Sequence, residues 1–159
     1  MKTVPCVVSL PAFALGAAVT LANPGAIAQQ TGATGAKESV WNRVYTAAQS
    51  TRGEEIHATA CASCNGARLN GAGEPDMPPS PAIAREAFLR KWAGRSVAEL
   101  FEYVRTKMPP DAPSRLSNQE AADAIAHMFA VSNMPPGEQE LPADPNTLGE
   151  LVIEVQRKK

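Results

Sequence analysis

The sequence predicts an all-α domain of about four helices, and three observations carry that prediction. Hydroxyl residues stand three positions ahead of a glutamate at Thr51…Glu54, Ser96…Glu99 and Ser117…Glu120. In that arrangement the hydroxyl caps free N–H groups at a helix start and the carboxylate reaches back to the cap. Apolar residues then recur at spacings of three, four and seven, the period of one helix face. The 14 prolines cluster between these stretches, so helices lie between the clusters and the connections are extended. No alternating strand pattern and no internal repeat is present.

Residues 1–28 read as an export signal. Lys2 gives a positive start, Val7 to Leu21 is mostly small and apolar, and Ala26-Ile27-Ala28 offers the small-x-small pattern of a cleavage site. Pro5, Pro11 and Gly16 interrupt the apolar run, which favours cleavage over membrane anchoring and leaves no membrane span afterwards. Cys6 is removed with this segment, so the mature chain carries Cys61 and Cys64 in an oxidising, periplasmic compartment. Residues 29–39 form a flexible Gly/Thr/Ala-rich leader, and residues 40–142 form the folded domain. Residues 143–159 form a tail whose apolar patch, Leu148, Leu151, Val152, Ile153 and Val155, either packs on the domain or stays loose.

Within the domain the first helix begins near Thr46 or Thr51, and Cys61 to Gly66 stands at its end. A shorter helix is expected over Ala82 to Trp92. The next starts after Ser96, with Val97, Leu100, Phe101 and Val104 as its stripe, and stops at about Lys107 or Met108 because Pro109 pushes its predecessor out of helical geometry. The last runs from Asn118 to about Val131, with Ala122, Ile125, Met128 and Phe129 inward. A formal charge of −1 provides no concentrated basic surface, which argues against a nucleic-acid partner.

Cys61-Ala62-Ser63-Cys64-Asn65-Gly66 is the chemistry-bearing segment. Two thiols three residues apart near a helix end serve a covalent haem, a zinc site, a redox disulfide or a structural disulfide. Zinc wants four good ligands, and only His57 and His127 remain, far apart in sequence. A thioredoxin-type site wants a strand ahead of it, and none is predicted. The haem reading gains from Lys107-Met108-Pro109-Pro110, a thioether just past a helix on a proline-fixed path, suited to the distal face of an iron. A haem would also add apolar surface to a small core that is poor in aromatic residues.

Tyr45-Thr46-Ala47-Ala48-Gln49, Arg52-Gly53 and Cys61-Ala62-Ser63-Cys64 with Gly66 resemble the start of bacterial class I cytochromes c. Phe88, Trp92, Gly94-Arg95-Ser96, Leu100-Phe101, Met108-Pro109-Pro110 and Ala112-Pro113 resemble their middle. Leu116-Ser117, Ala122-Asp123, Pro136-Gly137 and Glu140-Leu141-Pro142 resemble the remainder. The resemblance implies the cytochrome c-like fold, with first and last helices crossing. It implies one covalent haem c at Cys61 and Cys64, Met108 as distal ligand, and Phe88, Trp92, Leu100 and Phe101 as pocket or core residues. It implies one-electron transfer with a redox protein such as a periplasmic dehydrogenase or oxidase, by a carrier that is not itself an enzyme.

Position 65 departs from the family, which has histidine there. Asn65 has no imidazole nitrogen, and its carbonyl oxygen is a poor partner for ferrous iron. Three consequences are open. Haem attaches with a weak ligand or water opposite Met108, another side chain replaces the histidine, or haem is never loaded. These give three functional readings: an electron carrier, a haem-free pseudo-cytochrome acting as an interaction subunit, and an open-site ligand sensor or weak peroxidase. His57 is the substitute ligand to examine, although the family places an aromatic there, to the side of the iron. His127 matches an aromatic in the last helix and is expected at the helix interface. Met77 and Met134 also precede prolines, but their flanks match less well than those of Met108. Arg90, Lys91, Arg95, Arg105 and Lys107 form either a solvated face or a rim that steers an acidic partner.

Overall fold

A computed structural model describes residues 37–77 and 80–156. The segment read as an export signal and most of the expected leader lie outside the described residues. The elements run β1 (Glu38–Ser39), α1 (Ala47–Ala60), α2 (Ala62–Asn65), α3 (Arg85–Trp92), α4 (Val97–Lys107), α5 (Asn118–Val131), α6 (Pro145–Gly149) and β2 (Leu151–Val152). The fold is all-α in character, and its only sheet among the described residues is the two-residue parallel pairing of β1 with β2.

Two of the three predicted capping boxes are present. Ser96 and Glu99 exchange bonds at the start of α4, and Ser117 and Glu120 do so at the start of α5. The third is not. Helix α1 starts one turn earlier, where the Thr46 side chain accepts from the Gln49 N–H, and Thr51 lies inside the helix with its hydroxyl donated to the Ala47 carbonyl. Helix α3 begins at Arg85, three residues later than expected. Its cap comes from elsewhere, because the Arg85 N–H donates to Ser132 Oγ at the end of α5 (2.8 Å).

Helices α1 and α5 cross at the centre. The crossing is close because Gly53 has no side chain: a Cβ there would lie 1.9 Å from the Asp123 carbonyl oxygen and 2.9 Å from the His127 Cβ. Beside it, Arg52 grips Asp123 through Nε (2.8 Å) and Nη2 (3.0 Å) and also reaches Glu140. The start of α1 is tied to the segment after α5. The Tyr45 hydroxyl donates to the Met134 carbonyl, and the buried Gln49 amide both donates to and accepts from the Leu141 backbone. Apolar residues from α3, α4 and α5 fill the space beneath, with the Phe88 and Phe129 rings edge to face.

The tail packs. Leu148, Leu151 and Ile153 are buried, whereas Val155 is exposed. Backbone bonds join Ile153 to both Gly94 and Arg95, and the Trp41 indole donates to the Glu154 carbonyl. Glu38 and Ser39, assigned to the leader from sequence, pair with this arm.

Two groups at the α1–α5 crossing make stability fall in acid. Burial and the neighbouring His57 hold the His127 imidazole below its ordinary 6.5, so the unfolded chain binds that proton first. Stability is then complete above about pH 6.5 and falls as pH drops below it. Burial alone would raise the Asp123 carboxyl, but Arg52 and Gln119 outweigh it and hold the group below 3.8. Its contribution is present above that value and is lost as pH falls through the folded pKa. Urea midpoints measured from about pH 7.5 down to about pH 3 should therefore fall in two stages, and His127→Gln should remove only the upper one. A flat midpoint between pH 7.5 and about pH 5 would contradict the first assignment.

Candidate functional site

Cys61 ends α1, donating its N–H to the His57 carbonyl (2.9 Å), and the chain makes one further turn as α2. The Cys64 and Asn65 N–H groups both point back to the Cys61 carbonyl. Gly66 closes the turn at φ 74°, the left-handed region that glycine enters without cost. Both thiols are therefore on one helical turn, with Cα atoms about 5 Å apart by helix geometry. Both cysteines are free and half-buried. Cys61 packs against the core, and burial pushes its thiol up to about 11, against the pull of the Arg115 charge.

Arg115 belongs to the segment that follows Met108. Met108 caps α4 in extended conformation, and turns closed by Ala112 N–H to Pro109 O and Arg115 N–H to Ala112 O bring the chain back toward Leu116, which is buried. Arg115, in that segment, is near enough for its charge to be felt at the Cys61 thiol. Met108 is half-buried, whereas Met128 and Met134 are enclosed in the core and Met77 is exposed. Met108 is thus neither enclosed like Met128 and Met134 nor exposed like Met77.

Asn65 is half-buried, and its Nδ2 donates to the Pro81 carbonyl (3.2 Å). Phe88, Trp92, Leu100 and Phe101 are each no more than 4 % exposed and are covered by protein. His57 is also buried, and its Nε2 lies 3.0 Å from the Gly66 carbonyl inside the α1–α5 interface. That carbonyl occupies Nε2, so the nitrogen is not free to serve as a substitute ligand. His127 sits in the same interface, its ring centroid 5.6 Å from that of His57. Nothing in the residue order pointed to the Pro81 carbonyl, which meets Asn65 only through the folded path of a distant loop.

Four of the five basic residues singled out from sequence are engaged within the domain. Arg90 pairs with Glu86 and Arg95 with Glu99, Lys91 lies over the Trp92 and Tyr103 rings, and Arg105 bonds Asn118.

Residues 48–128, just over half of the chain, match the family described as cytochrome c oxidase, cbb3-type, subunit III, and they span both the thiols and Met108. The chain belongs to this family of class I c-type cytochrome domains. Neither a curated protein nor a solved structure matches it. Membership of the cbb3-type subunit III family carries with it covalently bound haem c and exchange with redox partners as general properties.

The donor set fits the haem in part. Two free thiols on one turn suit thioether attachment, and Met108 supplies a soft donor. Position 65 supplies none, because its amide nitrogen carries hydrogens and is committed to Pro81. Among the described residues no group of three or more His, Cys, Asp or Glu side chains is placed to hold a metal ion, and no helix is long and apolar enough to cross a membrane.

Proposed function

We propose that this domain is an exported single-electron carrier. Cys61 and Cys64 hold one haem c, with Met108 as the distal ligand of its iron and Asn65 in place of the usual proximal histidine. A bound haem supplies a one-electron ferric/ferrous couple, and a thioether donor favours the ferrous state. The observation that carries this reading is the pair of free, half-buried thiols on one helical turn. Within it, Cys61 and Cys64 fix position, while Asn65 braces the turn against the Pro81 segment. The partner is a redox protein such as a periplasmic dehydrogenase or oxidase, and the domain has no enzymatic role of its own.

A second reading is favoured by a specific observation. The Asn65 amide already has a protein partner, and Phe88, Trp92, Leu100 and Phe101 are already covered. A haem-free domain would thus be closed and satisfied, and would act as an interaction subunit.

Expression with a haem-attachment system, followed by absorbance and intact mass, separates the two. The carrier reading expects a Soret band and the added mass of one haem, both lost in a Cys61→Ser, Cys64→Ser double variant. Colourless protein of unaltered mass would favour the haem-free reading. A loaded protein whose spectrum shifts strongly with carbon monoxide would point to the open-site sensor instead.

A further inference from the structure

His57 lies on the buried face of α1, 5 % exposed, with its Nε2 3.0 Å from the carbonyl of Gly66. Gly66 is the residue that closes the thiol-bearing turn. On the other side the His57 ring meets His127 of α5. An aromatic hydrocarbon at position 57 would fill this space equally well but could not donate a hydrogen bond.

We propose that His57 is the positioning residue of the thiol-bearing turn: its Nε2–H, donated to the Gly66 carbonyl, latches Cys61–Gly66 onto the α1–α5 crossing. A carbonyl accepts only from a donor, so this contact requires the proton on Nε2. The turn needs such a latch. Helix α2 is four residues long and has no side-chain cap at Cys61, and a single turn is marginal by itself. The Gly66 carbonyl also accepts the Leu69 N–H (3.0 Å), but that bond is local and ties the turn only to its own loop. The His57 bond ties it to the central helix pair. His127, tilted against the ring at 5.6 Å between centroids, hinders its rotation away from Gly66. As a means of presenting two thiols to a haem, the latch rests on the carrier reading. Its existence does not.

The test uses haem-free, reduced protein and the rate at which iodoacetamide alkylates Cys61 under native conditions, with circular dichroism confirming the fold. His57→Phe keeps the ring and removes the donor, and His57→Gln keeps an amide donor at similar reach. The phenylalanine variant should react about five- to tenfold faster, the population change that one net hydrogen bond governs. The glutamine variant should stay within about twofold of the parent, because the donor is restored. Equal rates for parent and phenylalanine variant would overturn the proposal, and so would a glutamine variant as fast as the phenylalanine one. If His57→Phe does not fold, nitrogen-15 NMR of the parent decides. A slowly exchanging Nε2–H resonance on His57 supports the latch, and a His57 protonated only on Nδ1 overturns it. None of these readings depends on colour, so failure to load haem would sink the carrier reading and leave this result intact.

Discussion

Gly53→Ala should cost the domain its fold or most of its stability. The new methyl carbon would lie 1.9 Å from the Asp123 carbonyl oxygen and 2.6 Å from its carbon, both backbone atoms of a helix that cannot step aside. Relief requires α1 and α5 to separate, which loosens the Arg52–Asp123 grip and the His57–His127 contact together. Alanine does gain about 1 kcal/mol over glycine inside a helix. That gain is far smaller than the loss of a packed interface, for which more than about 4 kcal/mol is expected. Domains of this size hold about 5–15 kcal/mol in all. Thermal denaturation followed by circular dichroism is the measurement. An alanine variant melting within about 3 °C of the parent would show that the helices are not as close as described.

Asn65→His should raise haem loading and tighten the hold on its iron by about ten- to a hundredfold, the scale on which changes to a metal's supporting groups act. The geometry explains why one substitution suffices. Asn65 already donates Nδ2 to the Pro81 carbonyl, and a ligating histidine characteristically anchors one ring nitrogen on such a carbonyl. An imidazole at position 65 that inherits this bond through Nδ1–H leaves Nε2 free as a donor. Loaded material should become low-spin and insensitive to carbon monoxide. Intact mass, absorbance and the carbon monoxide difference spectrum report the outcome. A colourless histidine variant, exported and folded, would show that Cys61 and Cys64 do not serve as attachment points.

Local signals in the sequence led to the elements that depend on local physics. Ser96 and Ser117 mark true helix starts because each cap is completed within four residues. Thr51 offered the same letters and failed, since Thr46 had already nucleated the helix and left the Thr51 hydroxyl facing an interior carbonyl. The start of α3 was missed for the opposite reason: its cap, Ser132, is 47 residues away in sequence. At the site, the spacing of Cys61 and Cys64 foretold two thiols on one turn. The partners of Asn65 and His57 were not legible. Each is a backbone carbonyl, Pro81 or Gly66, and a carbonyl leaves no letter in the sequence. The apolar tail was equally undecidable, because Leu148, Leu151 and Ile153 declare a buried face without naming what covers it.

The pairing of Glu38–Ser39 with Leu151–Val152 gives the folded unit the character of a closed ring. Chain ends ordinarily fray first and independently. Here the bond from Glu38 N–H to the Glu150 carbonyl and the anchoring of Ile153 on the α3–α4 junction mean that neither end can peel back without releasing the other. Fraying becomes one concerted event, and it begins at the support of the helix that carries Met108.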